Sequence, residues 1–163
     1  MIAVGVLTVS DRGAWGERRD ESGEAIKEYA LRLKGQVIKY EIVPDERNVI
    51  SAKLQQWVDE DKLDLIITNG GTGLGPRDVT PEATLDVIER LVPGLTEAMR
   101  IDTVNKTPYA MLSRAVAGVR GRCLIINLPG SVKGVRECLE VILPVLPHAM
   151  EILKGEVTEH GGG

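Results

Sequence analysis

The stretch LDLIITNGGTGLGPRDVTPEAT, Leu63 to Thr84, decides the fold. Leu63 to Thr68 reads as a buried strand, and four glycines follow before Thr80 and Pro81, an N-cap and a first-turn proline. The helix they open is expected to carry Leu85, Ile88 and Val92. A glycine-rich turn between a strand and a helix N-terminus brings main chain close to a ligand. Unpaired N–H groups and the helix dipole there favour an anion, and a Cβ would hold the backbone away.

Outward from this stretch, strand and helix alternate. Ile2 to Val9 is a continuous apolar strand. A polar loop follows, then a helix with Ala25, Ile26, Tyr29, Ala30 and Leu33 on one face, stopped at Gly35. Gln36 to Val43 is a second strand, broken by Pro44. Ile50, Leu54, Trp57 and Val58 mark the next helix, with Asn48 as a candidate cap. Leu95, Ala98 and Met99 suggest a helix, and Asn105 to Pro108 a loop. SRAVAGVRGRCLIINLPG, Ser113 to Gly130, has two β-like arms about Gly121 and reads as a hairpin. Ser131 can cap a last helix with Val135, Cys138, Leu139, Ile142 and Leu146 inward and Pro144 as a kink.

This order predicts a three-layer α/β/α sandwich with a mostly parallel sheet plus a β-hairpin-derived antiparallel strand. The 163 residues, 43% hydrophobic, suit one domain, taken as residues 1–155 with a flexible tail over 156–163. Phe is absent and aromatics are 3%, so aliphatic side chains must fill the core, as in buried parallel strands. No apolar run reaches membrane-span length, Met1 opens a strand pattern, and Cys123 and Cys138 sit among apolar residues as buried thiols. A soluble cytoplasmic protein is expected. A formal charge of −4 with scattered basic residues excludes non-specific nucleic-acid binding.

Ligands of such sheets bind beyond the carboxyl ends of the strands. Four loops qualify: TVSDRG, VPDE, TNGGTGLGPRD and NLPGSVKG, all expected on one edge, with Arg12, Arg77 and Lys133 as nearby cations. Neither the Walker A pattern nor G-x-G-x-x-G is present, because Pro76 and Arg77 follow Gly75 and the dinucleotide spacing ends on Pro76 or Asp78. A dinucleotide-dependent oxidoreductase is thereby disfavoured. Carboxylates beside an anion site imply a divalent cation between them, and Asp45 and Asp78 are the candidates for Mg2+. Alternatives stand beside these readings: the glycine loop as a tight connection, Asp45 and Asp11 as turn formers, Asp78 as a cap. Ser113 offers a hydroxyl to phosphate but has no base spaced to activate it. His148 and His160 lie late in the chain, which leaves little for a Ser-His-Asp or zinc site.

Five blocks together resemble the MogA/MoaB-type molybdopterin-binding proteins, the group that includes the adenylyltransferase domain of gephyrin. They are VSDR (Val9–Arg12), PDE (Pro44–Glu46), TNGGTG with RDVTPEAT (Thr68–Thr84), LSRAVAGVRG (Leu112–Gly121) and NLPGSVKG (Asn127–Gly134). The resemblance implies an α/β fold assembled as a trimer, or a hexamer in some members. It implies molybdopterin as substrate, ATP as co-substrate with Mg2+, AMP transfer releasing pyrophosphate, and a molybdenum insertion enzyme as partner. Asp45 and Asp78 match the two functionally important aspartates. The ligand-binding positions it implies are Gly70, Gly71, Thr72, Gly73, Ser113, Pro129, Gly130, Ser131 and Lys133, to which the loop reading adds Ser10, Asp11 and Arg77 as substrate- and nucleotide-contact candidates. A non-catalytic carrier or scaffold of the same family is the alternative. Where the family usually reads TGGTG, this chain has Asn69 before the two glycines.

Overall fold

A computed structural model describes residues 1–17 and 19–156. One six-stranded sheet runs in the order β2-β1-β3-β6-β5-β4. Strands β1 (Ile2–Val9), β2 (Gly35–Val43), β3 (Leu65–Asn69) and β6 (Cys123–Leu128) are parallel, while β5 (Ala117–Arg120) and β4 (Arg90–Leu91) are antiparallel to their neighbours. The expected hairpin is the β5–β6 pair, turning through Gly121 at φ +59°.

Side-chain alternation divides the core in two. Val4 and Val6 of β1, Leu65 and Ile67 of β3, and Leu124 and Ile126 of β6 face α2 (Glu21–Arg32), α5 (Pro93–Val104), α6 (Val132–Ile142) and α7 (Leu146–Leu153). Leu7, Val9, Ile66 and Ile125 face the opposite way, onto α3 (Arg47–Asp59) and α4 (Thr80–Leu85). Both faces of the central strands are therefore covered, which is why they read as unbroken apolar runs. Gly5 marks a register shift between β1 and β2. A Cβ there would stand 2.7 Å from the Trp57 ring, so glycine lets that buried indole lie on the strand.

The helical faces predicted for α2, α3 and α6 are buried as expected. Ser131 caps α6, accepting from the Gly134 amide at 3.0 Å. The chain breaks at Pro144 into a 3₁₀ turn, Leu143–Val145, before α7. Cys123 and Cys138 are free and buried.

Several expectations are corrected. The helix after the glycine loop ends at Leu85, which is exposed, and Val92 follows a two-residue strand. Gly118 is the cause: it lets the Arg90 carbonyl and Ile88 close on β5, where a Cβ would meet them at 2.7 and 2.5 Å. Strand pairing outcompetes another helical turn. Asn48 does not cap α3, whose N-cap is Glu46, and Val79 rather than Thr80 is the N-cap of α4. The Thr80 hydroxyl instead donates to Gly70 O at 2.9 Å. Helix α2 stops with Lys34 at φ +57°, and Gly35 already belongs to β2. A short helix α1 (Asp11–Ala14) occupies part of the expected polar loop. Glu156 still donates to Glu151 O, and residues 157–163, with His160 and the rest of the expected tail, lie outside the described residues.

Candidate functional site

The four parallel strands deliver their loops to one edge, as their shared direction demands. Gly70 and Gly71 leave β3 at φ +94° and +70°, conformations that side chains resist. A Cβ on Gly70 would stand 2.3 Å from Val9 O, and one on Gly71 2.3 Å from the Thr80 hydroxyl. The second turn meets the first, since a Cβ on Gly130 would lie 3.4 Å from the Gly70 Cα. Gly70 N also donates to Leu128 O at 3.1 Å.

Two clefts flank these touching turns. The larger, about 570 Å3, is bordered by Ser10, Gly70, Gly130 and Ser131, and by Thr8, Asp20, Ser22 and Asn69. The smaller, about 290 Å3, is bordered by Thr72, Gly73, Ser113, Pro129 and Ser131, with Arg100 and Met99 from α5. Ser131 borders both. A third recess beside α3 takes Asp45 and Arg77. Lys133 projects into solvent 4.0 Å from Glu137 and borders none of these spaces, and neither do Arg12 and His148.

Three carboxylates converge on the loop. Asp45 Oδ1 lies 3.2 Å from where a Gly71 Cβ would be, and Asp78 Oδ2 lies 3.0 Å from the corresponding point on Gly73. Asp78 Oδ2 also accepts from Gly75 N at 2.8 Å, a bond back into the glycine loop, and it does not cap α4, whose N-cap is Val79 with no side-chain bond. Burial pushes the Asp45 carboxyl above the usual carboxylate range. The charges of Asp11 and Asp78 push the same way, against the Asp11 amide and Arg77. Asp11 goes the other way, held low chiefly by its bond to Arg77 and then by the Asp45 amide.

Asp45 and Asp78 fit Mg2+. They supply hard oxygen donors on two sides of an anion-favouring loop, and a cation would relieve the desolvated charge at Asp45. No group of three or more His, Cys, Asp or Glu able to hold a metal occurs among the described residues.

Residues outside the predicted set hold the site together. Arg114 clamps the glycine loop, donating to Gly73 O at 2.8 Å, Asp78 O at 2.7 Å and Glu82 Oε2 at 2.6 Å. Asp20 caps α2 through Gly23 N at 2.9 Å and accepts from the Thr8 hydroxyl at 2.6 Å and from the Tyr40 hydroxyl. Buried Asn127 donates to the Thr68 and Thr84 hydroxyls at 3.0 Å each, tying β6 to β3 and α4. Asp20 had one local signal: an acid three residues before Gly23, at the head of an amphipathic helix. Arg114 lies inside the LSRAVAGVRG block, but its reach across to Gly73 has no local signature.

A doubly covered α/β sheet, with two glycine turns and paired carboxylates at the carboxyl ends of its parallel strands, is the class these features define. Residues 5–148 match the family described as probable molybdopterin binding domain, and the chain belongs to that family. The molybdopterin adenylyltransferase of Helicobacter pylori strain J99 is 45% identical over 156 residues, 94% of this chain and 89% of that protein. The molybdopterin biosynthesis enzyme MoaB of Thermus thermophilus is 57% identical, covers 95% of this chain and 98% of its own, and superposes with a TM-score of 0.90. The Drosophila melanogaster molybdenum cofactor synthesis protein cinnamon is 42% identical over 160 residues, 96% of this chain and 26% of that protein.

Proposed function

We propose that this chain transfers AMP from ATP to the terminal phosphate of molybdopterin and releases pyrophosphate, an adenylyl transfer of the kind its Helicobacter pylori relative is named for. The observation that carries the proposal is the contact of Gly70 with Gly130, which sets two amide-rich turns between two clefts with Asp45 and Asp78 alongside. One anionic ligand per cleft would meet at the turns.

The attacking group is a phosphate monoester, already anionic at neutral pH. Its oxygen forms a bond to the ATP α-phosphorus, and the α–β bridging bond breaks with its electron pair leaving on pyrophosphate. No side-chain base or nucleophile is needed. That agrees with the position of His148, which borders neither cleft. The chain's task is alignment of two repelling anions, worth up to roughly 7–11 kcal/mol when well done, with loop N–H groups directed at the charge. Mg2+, held by Asp45 and Asp78, would neutralise charge on the transferring phosphates. Ser10, Thr72, Ser113 and Ser131 are assigned to ligand contacts at the rims, and Lys133 to an outer cation that attracts the anions.

We assign the chain to the cytoplasm, in keeping with its two buried free thiols; among the described residues no helix is long and apolar enough to cross a membrane. The assembly proposed is a homotrimer, with a hexamer as its doubling. Ile101, Tyr109 and Met111, each at least 70% exposed, make α5 and the turn after it the candidate contact, and a molybdenum insertion enzyme is the proposed downstream partner. Light scattering on the eluting protein reads the assembly directly.

The deciding experiment incubates purified protein with molybdopterin, ATP and Mg2+. Adenylated molybdopterin and equimolar pyrophosphate are expected. Molybdopterin binding without either product would reject the catalytic reading in favour of a carrier.

A further inference from the structure

Asp11 and Asp45 are bonded in both directions. The Asp11 amide donates to Asp45 Oδ2 at 2.9 Å, and the Asp45 amide donates to Asp11 Oδ1 at 2.9 Å. The pair joins the loop after β1 to the loop after β2. Arg77 adds the loop after β3, placing Nε 3.1 Å from Asp11 Oδ2 and Nη2 2.9 Å from Asp11 Oδ1. Both Asp11 oxygens are thus engaged by donors from the protein, and Asp11 borders neither cleft nor the recess beside α3. With Oδ2 of Asp45 held, its other oxygen is the one turned to the glycine loop.

We infer that Asp11 is a positioning residue, which serves adenylyl transfer by fixing the Asp45 carboxylate against the glycine loop and touches no substrate. Arg77 completes the device by neutralising Asp11, so that the Asp11, Asp45 and Asp78 carboxylates can share one edge. The loop reading makes Asp11 and Arg77 candidates for ligand contact, and the geometry gives them a different office. Loss of the Asp11 side chain frees the Asp45 backbone to drift, and a drift near 1 Å at an aligned site costs on the order of 100-fold in rate.

This inference rests on the adenylyl-transfer proposal, and its test separates the two. In Asp11→Ala, kcat should fall about 100-fold. KM for ATP and for molybdopterin, and molybdopterin affinity by fluorescence titration, should stay within about twofold, as uniform binding is untouched. Asp11→Asn keeps an oxygen for the Asp45 amide and should recover most of the lost kcat. Hydrogen exchange, which needs no substrate, should show faster exchange at the Asp45 amide in Asp11→Ala than in Asp11→Asn. A tenfold weaker molybdopterin affinity or higher KM with kcat preserved would make Asp11 a substrate contact and overturn the inference. Unchanged Asp45 exchange in Asp11→Ala would overturn it as well. A wild-type protein that forms no product rejects the adenylyl-transfer proposal instead, with the exchange comparison still deciding whether Asp11 holds Asp45. If Asp11→Ala does not fold, the same kinetic and exchange comparisons are made on Asp11→Asn against Asp11→Ser.

Discussion

Arg114 grips the Thr72–Gly73 turn twice: its own amide donates to the Thr72 carbonyl at 2.8 Å, and its Nε donates to Gly73 O at 2.8 Å. With Nη2 on the main-chain carbonyl of Asp78, the guanidinium spans the loop from its glycine turn to the backbone of Asp78. The ion pair with Glu82 anchors the fork on α4, and each partner retains about a third of its side-chain exposure. Lysine cannot reproduce that planar, three-way geometry.

Arg114→Lys should therefore lower kcat/KM by about tenfold or more while costing roughly 1–2 kcal/mol in stability, the smaller end reflecting the water still at the pair. Steady-state kinetics beside urea denaturation measure both. A rate loss no larger than the fraction unfolded would remove the clamp from function.

Asp78→Asn keeps an oxygen that can accept from Gly75 N, so the turn should survive. The charge is lost. Adenylyl transfer should drop by about 100-fold or more, the scale of losing one charge-stabilising group, while molybdopterin binding persists. Product formation at the wild-type rate would strike Asp78 from the proposed magnesium pair.

Gly70→Ala forces a Cβ to within 2.3 Å of Val9 O at a φ of +94°. Destabilisation of about 2–5 kcal/mol is expected. Gly94→Ala, in the first turn of α5 with open space around the added methyl, should be neutral or stabilise by about 0.5–1 kcal/mol. Denaturant midpoints of the two variants give the contrast, and equal midpoints would show that the close approach at Gly70 carries no strain.

The Cys138 thiol is pushed up to about 11 from an ordinary value of 9, first by burial and then by Glu137 and Asp102. At pH 8 its reaction with a disulfide reagent should run about 100-fold slower than that of a free thiol, and unfolding should abolish the difference. Because the folded value is raised, this thiol's contribution to stability is full below pH 9 and is lost as pH rises from about 9 towards about 11. Urea titrations across that range should show the decline, and their difference from Cys138→Ala should shrink with it.

What the chain's pattern discloses, and what it withholds, follows from the range of each interaction. Ala25, Ile26, Tyr29, Ala30 and Leu33 recur at helical spacing and are all buried, because one face of α2 meets one layer. The shared edge of the loops follows from parallel strands alone. Strand β4 leaves no pattern: it is two exposed residues, paired only because Gly118 stands across from it. The Thr80 hydroxyl has the local look of a cap, yet its partner, Gly70 O, is turned towards it by a glycine whose φ no residue pattern states. Among site residues, Gly70, Gly73, Gly130, Asp45, Ser113 and Ser131 gather at the clefts and the recess, whereas Gly71, Asp78 and Lys133 border none of them and Asp20 and Arg114 enter unannounced.

Far from the clefts, Lys154 at the end of α7 donates to the Met1 carbonyl at 3.0 Å and pairs with Asp64 at 3.3 Å. The beginning of β1 and the end of α7 thus share one clasp, at the margin opposite the one where the glycine turns open. Extra polypeptide grafted on at Met1 or beyond α7 would emerge there, leaving the mouth clear. A unit wired this way can be lengthened at either margin residue without rebuilding its entrance, and the matching part of the Drosophila melanogaster relative makes up 26% of that protein.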